Sequence, residues 1–139
     1  MRNPRTLGSL LGIALLLTTA STALAHSHYD SSTPAAGDAL SDPPTAVTIW
    51  YTEGIQAQDS WIHVLDGNGT RVDLNDNTIV GDDNTGITVS LRPGLSPGLY
   101  TVSWQNLSED GDGLTGSFQF GIGVAPVAGG STEMDDDDD

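Results

Sequence analysis

Apolar and polar residues alternate with a period of two along much of the chain beyond residue 46. In the first such stretch, Val47, Ile49 and Tyr51 alternate with Thr48 and Trp50. Similar stretches follow at 62–65, 87–91, 99–107 and 114–122. Alternation of this kind predicts strands that bury one face, and no stretch of ten or more residues shows the 3.6-residue period of a helix. The pattern therefore predicts an all-β chain.

Turn residues separate these stretches and set the number of strands. Residues 66–69, Asp-Gly-Asn-Gly, accept positive φ angles and predict a hairpin into a strand at 71–74. A polar loop at 81–84 and Pro-Gly pairs at 93–94 and 97–98 mark further reversals. About seven strands at this spacing predict two sheets packed as a sandwich.

Aromatic side chains fall on one face of each of the two longest predicted strands. Tyr100 and Trp104 share a face with Val102, and Phe118 shares one with Phe120. A platform for stacking sugars is the functional alternative for these rings. Their period of two, beside other apolar strands, favours the core of the sandwich instead.

The first 25 residues have the three regions of a secretory signal peptide. Arg2 and Arg5 precede an apolar stretch at 10–17, and Ala-Leu-Ala at 23–25 supplies the small residues that signal peptidase recognises. The apolar stretch is shorter than the roughly 20 residues that a bilayer requires, which argues against the alternative of a membrane anchor. We therefore expect export to the periplasm or the cell exterior, with a mature chain that starts at His26.

The remaining chain divides into one domain and a tail. Residues 26–123 hold all the predicted strands and are long enough for one modest core. Residues 124–139 loosen into a glycine-containing stretch and end in five aspartates, so we predict a disordered, solvated tail. A calcium site in the aspartates is the alternative for this tail. No second apolar segment predicts a membrane span in the mature chain.

Composition excludes several classes of function. All 19 acidic residues lie beyond residue 25, where only Arg71 and Arg92 are basic, so the chain is not expected to bind nucleic acid. The absence of cysteine excludes disulfides and thiolate metal ligands. An acidic surface attracts cations in general, although solubility in a salty medium is the simpler explanation of the bulk charge.

Two of the three histidines lie directly after the predicted cleavage site. Once the signal peptide is removed, His26 presents a free α-amino group and an imidazole from one residue, which is a two-nitrogen chelate. Nitrogen and carboxylate ligands in a tetragonal arrangement suit Cu(II), so one Cu(II) ion per chain is a candidate cofactor. The alternative from position alone is a histidine that follows the signal peptide by chance and stays in solvent.

Several short motifs, in order along the chain, resemble the CopC family of periplasmic copper-binding proteins. The resemblance covers about residues 26–122 and includes an N-terminal histidine. It implies a single Greek-key β-sandwich of the Ig-like or cupredoxin-like kind. The motifs that carry it are Ser-Thr-Pro-Ala-Ala-Gly at 32–37, Tyr-Thr-Glu at 51–53, the block 95–104, Ser-Glu-Asp-Gly at 108–111 and Gly-Ser-Phe at 116–118.

The resemblance also implies a set of copper ligands, from which this chain departs at one position. In the family, the first mature histidine is joined by an aspartate and a histidine from a loop that reads Ser-x-Asp-x-His, with a glycine four residues later. Here Asp110 matches the aspartate, and Asp112 stands where the histidine is expected. Replacing imidazole by carboxylate lowers the preference for copper, so a weakened site, a site for a harder ion and a vestigial site remain alternatives.

The other candidate residues are His28, Glu53 and His63. His28 is the third mature residue, so it could instead wrap Cu(II) in the amine, two deprotonated backbone amides and its own imidazole; we favour the docked mode because Asp110 is present. Glu53 is a candidate for orienting an imidazole N–H, with a solvated carboxylate as the alternative. His63 is out of phase with Ile62 and Val64 and is expected on the outer surface.

Three classes of function follow. The first is an exported monomer that binds copper for homeostasis or resistance without catalysing a reaction, with a membrane copper transporter of the CopD type as the candidate partner that the resemblance implies. The second is an enzyme, because an N-terminal histidine on a sandwich is also similar to the copper site of lytic polysaccharide monooxygenases. The third is a metal-free structural or adhesion module, which Asp112 makes the main alternative.

Overall fold

The computed structural model describes residues 26–127 and 132–135, and it arranges them as two packed β-sheets. The predicted signal peptide, residues 1–25, lies outside this part. No helix within the described residues is long and apolar enough to cross a membrane. The strands are β1 (Tyr29–Thr33), β2 (Ala39–Leu40), β3 (Ala46–Tyr51), β4 (Trp61–Leu65), β5 (Thr78–Val80), β6 (Gly86–Ser90), β7 (Gly98–Leu107), β8 (Gly113–Ile122) and β9 (Thr132–Asp135).

The two sheets enclose one apolar core, as the alternation predicts. One sheet has the strand order β1-β3-β6-β5, and the other has β2-β8-β7-β4 with β9 against β8. The inward residues of β3, β4, β6, β7 and β8 meet between them. Trp104 and Phe120 are fully buried there, and Tyr100 and Phe118 are nearly so. The predicted all-β sandwich and its aromatic core are confirmed.

The predicted hairpin strand at 71–74 is present only as isolated bridges. Arg71 pairs with Leu65 in one sheet, whereas Asp73 pairs with Leu91 beside the other. The chain crosses from sheet to sheet at this point, so it cannot extend a ladder with either. The described residues form nine strands, whereas the sequence predicts about seven. Most of the difference comes from the short strands β1, β2 and β5, which the sequence does not predict because they carry little apolar alternation.

Part of the stretch for which the sequence predicts disorder forms a strand. β9 pairs antiparallel with β8, with Glu133 opposite Gly116. The physical reason is that the outer edge of β8 is open at residues 114–117, since β2 covers it only at 121–122. Residues 124–127 are irregular, and the remaining predicted tail lies outside the described residues.

The outer edge of β4 is closed by two side chains and one backbone N–H rather than by a further strand of the sheet. Asn77 accepts the N–H of Ile62 through Oδ1 at 2.8 Å and donates to its carbonyl through Nδ2 at 3.4 Å. Asp73 Oδ2 accepts the N–H of Val64 at 2.9 Å, and the Val64 carbonyl accepts the N–H of Val72 at 2.8 Å. The backbone groups of this edge that face away from β7 therefore have partners within the chain.

Asp73 is expected to stabilise the fold above its pKa. Burial alone would raise the pKa of this carboxyl, but the hydrogen bonds from Arg71, Val64 and Asn75 outweigh burial and lower it. We expect Asp73→Asn to reduce the free energy of unfolding by about 1 kcal/mol at neutral pH. Because the folded pKa is depressed, this difference is present above about pH 5 and is lost as the pH falls through the folded pKa.

Urea unfolding of both chains between pH 3 and pH 7 checks this expectation. Asp30→Asn is the matched control, since Asp30 is exposed and its carboxylate accepts a single weak hydrogen bond, from the hydroxyl of Ser31, among the residues that the structure describes. A difference between wild type and Asp73→Asn that grows towards acid pH would contradict the assignment.

Candidate metal centre

Ser27 fixes the start of the described chain to one end of the sandwich. It is fully buried, and its hydroxyl donates to the backbone carbonyl of Glu53 at 2.7 Å. Its own carbonyl accepts a hydrogen bond of 2.6 Å from Nδ2 of the fully buried Asn106 on β7. These two contacts join residue 27 to both sheets, so His26 is held at the edge of the core rather than free in solvent.

The loop between β7 and β8 is a tight turn built on Ser108. The Ser108 N–H donates to the carbonyl of Asp112 at 2.8 Å, and its hydroxyl accepts the Asp112 N–H at 3.1 Å. Gly111, with a φ of 92°, allows the reversal, and its N–H donates to the Ser108 carbonyl. The same carbonyl accepts Nε2 of Gln56 at 2.8 Å, which fastens the turn to the chain beyond β3. The position of Asp112 is thereby set by backbone geometry.

The His26 imidazole and the Asp112 carboxylate face each other across a short gap. His26 Nδ1 and Asp112 Oδ2 are 3.7 Å apart, which is too long for a hydrogen bond. Both atoms are buried and have no hydrogen-bond partner within the described structure, although the side chains are 35% and 30% exposed. Unpartnered buried polar atoms are rare, and a nitrogen and a carboxylate oxygen aimed at one point are metal donors. These two residues therefore fit a cation held between them.

Two other candidate residues, Asp110 and Glu53, do not join this pair. Asp110 lies on the exposed tip of the turn, and no hydrogen bond or ion pair joins it to another residue in the described ranges. Glu53 contributes its backbone carbonyl to Ser27, but its exposed carboxylate orients neither histidine in the part of the chain that is described. The residue brought to His26 is Asp112, not Asp110.

His28 lies beside His26 and forms hydrogen bonds with other residues. The two imidazole rings are 6.0 Å apart between centroids. His28 Nδ1 is 3.1 Å from Glu133 Oε2, and the His28 N–H donates to the hydroxyl of Thr52 at 3.0 Å. The other carboxylate oxygen of Glu133 accepts the N–H of Tyr29 at 2.6 Å. Residue 28 is thus docked along the sheet, in an arrangement that the wrapped mode would have to undo.

His63 does not belong to this cluster. It is half-buried on the outer face of β4, where its ring stacks on Trp61 with 4.0 Å between centroids. Burial and the nearby Arg71 lower its pKa. Its expected position on the outer face is confirmed, with the neighbouring indole covering part of the ring.

Sequence reasoning gave no role to Ser27, Asn106 or Glu133, and it noted Ser108 only as the first residue of the loop motif. One of them carried a signal, because Asn106 continues the inward series of Tyr100, Val102 and Trp104 and is the polar residue in a core-facing register. A buried polar side chain needs a partner, so it marks a point where backbone from elsewhere must dock. Ser27 and Glu133 are polar residues in polar stretches, where nothing in the local pattern distinguishes them.

Side chains alone do not complete a metal site in this part of the molecule. Within residues 26–127 and 132–135, no group of three or more His, Cys, Asp or Glu residues converges closely enough to hold a metal ion. His26 and Asp112 supply two donors. A further donor at the same point would be the α-amine of His26, which becomes available only when the peptide bond to Ala25 is cut.

The sequence of this chain matches a family model and several curated proteins. A family model described as the CopC domain matches residues 29–123. The copper transport protein CutJ of Bacillus subtilis strain 168 is 32% identical over 104 residues, which are 75% of this chain but 19% of CutJ. The chain thus spans about a fifth of that relative. Protein YobA of Escherichia coli K12 is 28% identical over 98 residues, covering 70% of this chain and 79% of YobA.

Solved structures share the fold. CopC from Methylosinus trichosporium OB3b superposes with a TM-score of 0.64 at 28% identity, covering 70% of this chain and 93% of that one. PcoC, a methionine-rich copper resistance protein from Escherichia coli, superposes with a TM-score of 0.59 at 23% identity, covering 70% and 99%. The second likeness is one of fold alone.

Proposed function

The chain belongs to the CopC family of copper resistance and transport proteins, and from this premise we propose that it is exported, binds one Cu(II) ion at its processed N-terminus and buffers or hands on that ion without catalysing a reaction. The observation that carries the proposal is the pair of unpartnered buried atoms, His26 Nδ1 and Asp112 Oδ2, that face each other.

The identity of the orphaned nitrogen supports the proposal. Nδ1 is the imidazole nitrogen nearer the backbone, so it can close a six-membered chelate ring with the α-amine of the same residue. Nε2 points away from the backbone and cannot. The amine and Nδ1 of His26, together with the carboxylate of Asp112, would hold the copper ion. When bound, the ion would bring its positive charge and its redox chemistry to this site.

Asp112, rather than Asp110, is the carboxylate ligand in this proposal. Its N–H and carbonyl are both bonded to Ser108, so its side chain is presented to His26 without reorganisation of the turn. Pre-positioned ligands lose less conformational freedom on binding. Asp110, two residues earlier on the exposed tip, is left as a carboxylate that could approach only if the turn rearranges.

The proposal also includes export of the protein and transfer of the copper ion to a partner. Cleavage after Ala25 is required, because the amine does not exist before it. The related CutJ is a copper transport protein of which this chain spans about a fifth. In CutJ, the matching region is part of a longer transport protein. This supports a membrane copper transporter, of the CopD type, as the partner that receives the ion.

Titration of the secreted protein with Cu(II), followed by electron paramagnetic resonance, tests the proposal. We expect one ion per chain, bound below micromolar concentration, with hyperfine structure from about two nitrogens. His26→Ala should remove this signal, and His63→Ala, the matched control on the outer face of β4, should leave it unchanged. Failure to bind below micromolar concentration would contradict the proposal.

A metal-free structural module is the second candidate function. The observation that favours it is Asp112, where the family carries a histidine. The same titration separates the two, since a module of this kind would show no two-nitrogen Cu(II) signal that depends on His26.

A further inference from the structure

A carboxylate from the far end of the chain closes over the start of β1. Glu133 accepts the N–H of Tyr29 through Oε1 at 2.6 Å, and its Oε2 lies 3.1 Å from His28 Nδ1. The two partners are more than 100 residues away in sequence. Glu133 is positioned by the pairing of β9 with β8, opposite Gly116.

The two atoms of His28 that a wrapped Cu(II) complex needs are both engaged. In that complex the metal takes the backbone nitrogens of residues 27 and 28 and then Nδ1 of His28, the ring nitrogen that can close a chelate with its own amide. The His28 amide donates to the hydroxyl of Thr52, and Nδ1 is bonded to Glu133. Wrapping must therefore break a contact to β9 as well as one to the chain after β3.

From these contacts we propose that Glu133 is a positioning residue that selects between the two modes of copper binding. It keeps His28 on the sheet and so favours the docked site at His26 and Asp112 over the four-nitrogen chelate. This inference rests on the proposed function. A complex with two deprotonated amides releases its metal only after those amides are reprotonated, whereas a docked site can exchange it more readily. Glu133 therefore keeps the bound ion available for transfer.

The surroundings of Glu133 are consistent with this role. Tyr51 is buried beneath the start of β1, directly opposite Tyr29 in the ladder. Burial raises the pKa of the Tyr51 hydroxyl, and the negative charge of Glu133 raises it further. The charge of this carboxylate therefore acts on a side chain that is buried beneath the start of β1.

Glu133→Ala in the secreted full-length protein tests the selection. We expect the ratio of four-nitrogen to docked Cu(II) species, measured by electron paramagnetic resonance, to rise about tenfold, as the loss of one hydrogen bond to a charged group implies. Asp30→Ala is the matched control, because it removes an exposed carboxylate of β1 whose hydrogen bond is to Ser31 and not to His28. In the double variant Glu133→Ala with His28→Ala, the four-nitrogen species should disappear.

A measurement on the metal-free protein separates this inference from the proposed function. Nitrogen NMR of the His28 ring should shift in Glu133→Ala and not in Asp30→Ala. If the ring signal shifts but the copper spectrum stays docked, or if the wild type already shows four nitrogens, the selection is overturned while copper binding stands. If the wild type binds no Cu(II), the proposed function fails and the selection fails with it.

Discussion

One alanine added before His26 in the mature protein is expected to weaken Cu(II) binding by at least about 100-fold. The addition moves the amine away from the His26 imidazole, so the chelate of the docked mode is lost. It also shifts His28 from the third to the fourth position, so the wrapped mode cannot replace it. Competition with a chelator of known affinity measures the change.

Thermal unfolding provides the control for this variant. The added residue lies outside the core, so the melting temperature of the metal-free protein should stay within about 2 °C of the wild type. An alanine added at the carboxyl end should leave the affinity unchanged. If the extended N-terminus binds Cu(II) as tightly as the wild type, the metal is held elsewhere.

Asp112→His is expected to strengthen Cu(II) binding by about 10- to 100-fold. The Ser108 turn presents residue 112 to His26, so an imidazole at this position would replace a carboxylate by a ligand that Cu(II) prefers. The hyperfine pattern should then show one more nitrogen than the wild type. Electron paramagnetic resonance together with chelator competition measures both effects.

Asp110→His is the matched control for that substitution. It makes the same chemical change two residues earlier, on the exposed tip of the same turn. We expect its affinity to change by no more than about twofold, with no added nitrogen. If Asp110→His gains the nitrogen and Asp112→His does not, Asp110 is the ligand and the turn rearranges on binding.

The parts of the fold that the sequence predicts correctly are those in which burial follows a local period. β7 and β8 have ten residues each; β7 alternates over almost all of its length, and β8 places Phe118, Phe120 and Ile122 at a period of two, so their inward faces were predictable. β1 reads Tyr-Asp-Ser-Ser-Thr, with Ser32 as the buried residue, so its strand character comes from pairing with β3 rather than from side-chain burial. Pairing between distant segments leaves no local pattern.

The same distinction applies to the candidate site. The sequence identifies His26 as a candidate ligand, because its chemistry depends only on the cleavage position. It does not show which aspartate lies beside His26, since that depends on how Ser108 bonds the turn. The family pattern points to Asp110, whereas the turn presents Asp112. Glu133 was unpredictable for a stronger reason: its contact to His28 requires an acidic tail segment to add to an open sheet edge.

The contacts that close the outer edge of β4 affect how readily copies of the chain aggregate through this edge. A neighbouring molecule that approached β4 edge to edge would find the amides and carbonyls of Ile62 and Val64 already bonded to Asn77, Asp73 and Val72. It would have to break those bonds before forming any of its own. Fibril-like growth from this edge is therefore opposed at its first step, without a lysine or a proline on the strand to prevent it.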